Sequence, residues 1–313
     1  MRRALTALAV MVALAGCGGD APQDGATAAQ AGPATDKLAQ IKARGTLVLF
    51  TDPAYPPQSY KVRSSHRAKD TRCAPNQLTA PEMAGYDADT GKLVAAKLGV
   101  EPCFVSPSWT EVTAGNWGDR WDLAYGSGAI EYSRMDALYM TQPYYSTPTN
   151  FFVPARSKAG TPADLSGKRV GACADCTMEK YLRGTLELPG PAPDQIVHDP
   201  RIVTFDTEVP GLAATAKGKL AGFLCSEPVG AEQIRDGLAL RKLAEPAYYS
   251  NKTGYVDKKS GLDVGPFVAR VNEIVAGLHA DGTLGKLSVK YFGKDYAAKA
   301  AEFDLSAIRQ SVH

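Results

Sequence analysis

Residues 121–145 read WDLAYGSGAIEYSRMDALYMTQPYY, and the order of groups in this stretch decides the fold. Leu123-Ala124-Tyr125 is an apolar run with the length of a short buried strand. It stops at Gly126-Ser127-Gly128, where the backbone is easily approached and a hydroxyl sits at the strand's carboxyl end. In an open α/β sheet that edge is where ligands are held. Arg134 follows, with a planar guanidinium able to grip a carboxylate through two parallel hydrogen bonds. Gln142-Pro143-Tyr144-Tyr145 then leads into a new extended run, Phe151-Phe152-Val153.

This order resembles the amino-acid and polar-solute binding proteins of ABC importers, extracellular solute-binding family 3. There a strand, a hydroxyl loop, an Arg and an SxPYY segment precede the crossover into a second lobe. The resemblance covers Ile41 to Lys294 and rests on the joint order of five motifs. It implies an α/β fold of the type II periplasmic-binding-protein kind, two lobes each built on a mixed sheet flanked by helices, with two hinge crossovers. Lobe 1 is expected over 37–150 and 249–294, lobe 2 over 151–248, and a helical tail over 295–313.

Outward from the central stretch, Leu47-Val48-Leu49-Phe50 reads as the first strand and ends in Thr51-Asp52-Pro53-Ala54-Tyr55-Pro56-Pro57. The family's TDPxYPP segment places an aromatic over the ligand and an Asp near its ammonium, which implies Tyr55 and Asp52. Gly85-Tyr86-Asp87-Ala88-Asp89 opens a helix whose apolar face is expected at Leu93, Val94, Ala96 and Leu98. Its acids read as caps. Pro102 to Val105 is the next strand, and the resemblance makes Trp109 a ligand-covering aromatic, whereas Trp117 packs in a helix or turn. In the second lobe, VGACADCTMEKYL from Val170 stands where the family has VGVxxGTxxE. Thr177 keeps the ligand-contacting hydroxyl at a helix start; Cys173 and Cys176 depart from the pattern. Ile202 to Asp206 and Leu220 to Cys225 are further strands. After the latter comes Ser226, where amino-acid binders usually carry the Asp that holds the ligand ammonium. Glu227 is one place on and points elsewhere. Tyr248 to Val256 is the return crossover, and Phe267, Val271, Ile274, Val275 and Leu278 form a helical core stripe.

Met1-Arg2-Arg3 and the apolar run to Leu14 have the form of an export signal, too short to span a bilayer as a helix. Leu14-Ala15-Gly16-Cys17 resembles a lipobox, so residues 1–16 are expected to be removed, Cys17 lipidated, and 17–36 to form a Gly-, Ala-, Pro- and Gln-rich tether. The chain is then exported, held at a bacterial membrane by its lipid, and monomeric. In that oxidising setting Cys73 and Cys103 are disulfide partners. Cys173, Cys176 and Cys225 leave an odd thiol, with a 173–176 or 173–225 bridge, or a soft-metal or redox site, as the alternatives. The basic stretch from Lys61 to Pro81 reads as a loop insertion pinned by Cys73, either a solvated surface or a docking face.

A net charge of +2, with 44% hydrophobic and 22% charged residues, suits a globular domain and argues against nucleic acid as a partner. The four histidines show no metal-ligand spacing, and no cofactor or metal is expected. The ligand-binding set is Asp52, Tyr55, Trp109, Ser127, Arg134, Thr177 and Ser226. With Arg134 on a carboxylate and aromatics over the rest, the expected function is capture of an amino acid or related carboxylate for an ABC permease. The chain is expected not to be an enzyme. The alternatives are a periplasmic enzyme on the same scaffold, resembling cyclohexadienyl dehydratases, or a ligand sensor without a permease. Against the enzyme, Val229 stands where those dehydratases carry their catalytic Glu.

Overall fold

The computed structural model describes Ala34 and Asp36–Ile308. The expected signal, Cys17 and nearly all of the tether lie outside those residues, as do the last five residues of the tail. The chain enters through α1 (Lys37–Arg44), started by the Asp36 carboxylate accepting from Ala39 N at 2.8 Å and ended by Gly45 at φ 72°. β1 (Thr46–Phe50) is buried throughout. A small antiparallel sheet follows, made of β2 (Ala54–Tyr55), β3 (Ser59–Lys61) and, after β4 (Leu78–Thr79), β5 (Met83–Ala84). A Cys73–Cys103 disulfide ties the basic loop to β6 (Glu101–Val105).

α2 (Tyr86–Leu98) lies between them. Its buried face includes Tyr86, Asp87, Thr90, Val94, Ala95 and Leu98; of the expected apolar positions Val94 and Leu98 are buried and Leu93 packs against the core, while Ala96 is exposed and Ala95 is buried in its stead. α3 (Trp109–Ala114) carries a capping box between Ser108 and Glu111, and Trp117 is buried beyond it, its indole N–H donating to Val112 O. β7 (Leu123–Ala129) runs straight through the Gly-Ser-Gly segment rather than stopping at it, with Ser127 at φ +58°. β8 (Leu138–Met140) and the long β9 (Tyr145–Pro154) follow.

The second half repeats the pattern with β10 (Arg169–Cys173), α4 (Thr177–Arg183), β11 (Arg201–Phe205), α5 (Glu208–Ala216), β12 (Gly222–Ser226) and α6 (Glu227–Arg235). β13 (Leu240–Asp257) returns, and α7 (Gly265–Ala280) and α8 (Thr283–Phe292) close the first half. The expected stripe on α7 is buried. The described part of the tail is not the expected helix. Ala298–Ala301 and Leu305–Ala307 are single turns, and Phe303, Leu305 and Ile308 pack onto the first half's core.

One sheet unites these strands in the order β11-β10-β12-β9-β13-β7-β1-β6-β4, with β8 beside β13. β10, β11 and β12 are parallel, as are β1, β6 and β7. The long antiparallel pair β9 and β13 lies between the two sets. The cores divide at the same place. One pair of clusters draws on residues up to Tyr145 and from Tyr255 onward; the other draws on Phe151 to Tyr248.

Two glycines allow α5 to sit close on the sheet. A Cβ on Gly211 would lie 1.9 Å from the Phe223 ring, and one on Gly171 would lie 2.4 Å from the same ring. That close approach sets the start of α5 at the carboxyl ends of the strands. Gly211→Ala is therefore expected to overpack this contact and lower stability by about 1–3 kcal/mol, read as a shift of the urea unfolding midpoint.

Candidate functional site

A cavity of about 440 Å³ lies between the halves. Asp52, Tyr55, Trp109, Ser127, Arg134 and Thr177 all line it. Ser226 does not. Its hydroxyl is buried against Thr147 Oγ1 at 3.2 Å, because the last residue of β12 turns its side chain toward β9 rather than into the cleft. Glu227 lies away from the cavity as well, ion-paired to Lys242 and Lys294.

Arg134 is delivered by the turn Tyr132–Arg134 that follows β7, and only 4% of it is exposed. Its Nη1 donates to Tyr255 OH at 2.8 Å and its Nη2 to the Asp175 carbonyl at 3.0 Å, while Nε lies 3.1 Å from Glu131. That use of the fork leaves one N–H on each Nη for a ligand. Glu131 is fully buried and also meets Lys180 and Ser133. Burial works against the guanidinium charge, but Tyr255 and Glu131 outweigh it and hold the pKa above its ordinary value. The guanidinium also sits 5.3 Å from the centre of the Trp109 ring.

Ser127 is held from behind. Its hydroxyl donates to Asp87 Oδ2 at 2.7 Å and accepts from Tyr145 OH at 2.6 Å, and Tyr144 OH donates to Asp87 Oδ1 at 2.8 Å. Asp87 is thus no helix cap: it is fully buried beneath the cavity wall, and burial lifts its pKa to about 7 against the opposing hydrogen bonds from Ser127 and Tyr144. Asp89 instead pairs with Lys92 and Lys290. Asp52 accepts from Ala54 N at 2.8 Å, and its pKa is raised by burial. Thr177 accepts from Tyr248 OH at 3.0 Å beside the Cys173–Cys176 disulfide, which also lines the cavity. Cys225 is a buried free thiol. Among the described residues no group of His, Cys, Asp and Glu is placed to hold a metal ion.

Glu208 and Lys252 are charged lining residues that escape a reading of the sequence alone. Glu208, the first residue of α5, is 2% exposed; it accepts from Tyr55 OH at 2.7 Å and from Ser226 N at 3.3 Å. Burial raises its pKa. The signal for it is the Asp206-Thr207-Glu208 segment directly after a strand's carboxyl end. Lys252, in the middle of β13, also lines the cavity, and burial lowers its pKa. Its signal is the one charged residue in the return crossover from Tyr248 to Val256.

Contacts between the halves close over this space. Tyr55 reaches Glu208, Thr110 Oγ1 donates to Asp175 Oδ2 at 2.6 Å, and Tyr132 N donates to Glu187 O at 3.1 Å. A two-halved α/β protein with a polar and aromatic cavity at its strand ends is a type II periplasmic binding protein. The chain belongs to the bacterial extracellular solute-binding proteins, family 3, whose family model matches residues 47–294. It is therefore a solute-binding protein of the ABC-importer kind. It is 22% identical over 260 residues to the L-cystine-binding protein TcyJ of Escherichia coli (strain K12), covering 82% of this chain and 86% of that one. It is 23% identical over 218 residues to ABC transporter arginine-binding protein 1 of the same strain, covering 67% and 82%. Among solved structures, the ancestral amino acid-binding protein AncCDT-1, a precursor of cyclohexadienyl dehydratase, shares the fold with a TM-score of 0.64 at 22% identity, covering 82% of this chain and 99% of that one.

The raised Asp87 pKa fixes a pH dependence. The native state holds a proton on Asp87 that the unfolded chain releases near its ordinary value of 3.8. Its contribution to stability is therefore complete below pH 3.8 and is lost as pH rises through about 7. Unfolding free energy of the ligand-free protein is expected to fall over that range by on the order of 4 kcal/mol at most from this group. Asp87→Asn, which keeps an acceptor and cannot ionise, is expected to show a shallower slope in urea titrations at stepped pH.

Proposed function

We propose that this protein captures an α-amino acid and presents it to an ABC permease. The observation that carries the reading is the pairing of opposite charges across one cavity, Arg134 from the first half and Glu208 from the second. Arg134 takes the carboxylate with its two remaining N–H groups, helped by Thr177. Glu208 takes the ammonium, the role for which the usual Asp is missing at Ser226. Tyr55 and Trp109 cover the remainder, since aromatic faces accept apolar or cationic groups. Water leaves both polar ends on closure, so each must be replaced by a protein partner. The ligand thus stabilises the closed state by touching both halves at once. The names of the relatives, binders of cystine and arginine, support an amino acid as the guest.

The test is calorimetry on purified protein with a panel of amino acids, the best ligand chosen by thermal shift because binding raises the melting temperature. Arg134→Ala is expected to lower affinity by about 2–5 kcal/mol. Glu208→Gln is expected to weaken amino acids while sparing the same ligand without its ammonium. Wild-type affinity in both variants would remove these residues from the site. Mass spectrometry of the incubated ligand reads out turnover: an unchanged mass is expected of a binder, and a dehydrated product would make it an enzyme.

Export and anchoring through Cys17 belong to the same reading, on the strength of the Leu14-Ala15-Gly16-Cys17 segment. In a bacterial host the full chain is expected to enter the detergent phase of a Triton X-114 partition, and Cys17→Ser to remain in the aqueous phase. Equal partition of the two would refute the anchor.

A further inference from the structure

Lys252 makes no ion pair in the protein: Glu208 and Asp87 attract its charge only from a distance. Its residue is 2% exposed, its side chain lines the cavity, and among the described residues no hydrogen bond or ion pair engages its Nζ. Its place is fixed by the sheet: β13 sets it opposite Ala129 of β7 and Tyr145 of β9. Its side chain opens onto the cavity, and an ammonium drawn largely out of bulk water with no bonded acceptor is costly and has donors to offer a guest.

None of the acids around it is bonded to it: Asp206 lines the cavity without pairing to it, and the others hold different groups. Asp87 receives Ser127 and Tyr144, and Glu208 receives Tyr55 and the Ser226 amide. Asp52 receives the Ala54 amide. Glu131 is shared by Arg134 and Lys180. A simple zwitterion leaves the Lys252 ammonium without a bonded partner. Its carboxylate goes to Arg134 and its ammonium to Glu208, and Lys252 still faces the cavity unanswered.

We infer that Lys252 receives a second anionic group of the solute, so that the preferred guest is an amino acid bearing an additional carboxylate, and that Lys252 sets this preference. The inference rests on the amino-acid reading above and narrows it. A cavity of about 440 Å³ is within the range of sites that enclose small molecules, with room for a side chain that ends in a charged group.

The experiment is calorimetry with matched pairs that differ in the second carboxylate: L-glutamate and L-glutamine, L-aspartate and L-asparagine. At least one diacid is expected to bind wild type about 30-fold or more tightly than its monoacid partner. Lys252→Met is expected to erase that ratio while monoacid binding persists, and Lys252→Arg to retain part of it. Binding of the monoacid retained by Lys252→Met also certifies that the variant is folded. A wild type that favours the monoacids, or a ratio unchanged in Lys252→Met, overturns the inference and leaves the amino-acid reading standing. Binding of no amino acid of either kind overturns both. If Lys252→Met does not fold, the wild-type ratio and its loss in Lys252→Gln decide.

Discussion

The site depends on keeping a guanidinium charged where water scarcely reaches it. Removing such a group from solvent costs several kcal/mol unless partners replace its hydration. Arg134 finds those partners on both sides of the cleft: Tyr255 and Glu131 in one half, the Asp175 carbonyl in the other. Glu131 is steadied in turn by Lys180 from the second half. The same bonds that make the charge tolerable therefore also draw the halves together. The arginine is at once an anchor for a guest and a fastener for the closed form, and its remaining donors face the space the halves enclose.

Much of this was legible from the order of motifs. Asp52, Trp109, Arg134 and Thr177 are far apart in sequence, yet each follows a strand end or opens a helix, and parallel strands bring such ends to one edge; Tyr55 closes the short β2 and Ser127 lies within β7 near its carboxyl end. What escaped is what depends on three-dimensional depth. Asp87 has the local signature of a helix-start acid, but α2 packs its first turn inward and the carboxylate meets Ser127 instead of free backbone N–H groups. Ser226 occupies the aligned position but lacks the reach of an acid, and its hydroxyl finds Thr147. Glu208 sits on the next helix, and nothing in its neighbours' spacing tells that Gly211 lets that helix press onto Phe223. The tail reads as helical by composition, yet Phe303, Leu305 and Ile308 do more by lying on the core than a regular helix would allow.

Lys252 and Glu208 show how burial and function intersect. Each is a titratable group whose charged form the surroundings disfavour, and each borders the same cavity. Such groups are concentrated where a protein meets its ligand; here each also feels the other's opposite charge, which partly offsets the burial. The neutral hydroxyls around them, from Tyr55, Ser127, Thr177 and Tyr248, supply directional bonds without adding charge of their own.

The continuous ribbon of β9 and β13 carries one last implication. The two strands that pass between the halves are hydrogen-bonded to each other from Tyr145 and Lys252 to Thr149 and Tyr248. They cannot swivel separately, as two loose tethers would. Parting the cleft must flex them jointly, like a leaf spring, about an axis lying across the strands, and the irregular pairing near Pro246 offers a compliant spot. Lys252 is rooted in that spring, so its ammonium travels with the flexing element itself, and a guest that engages it loads the hinge directly.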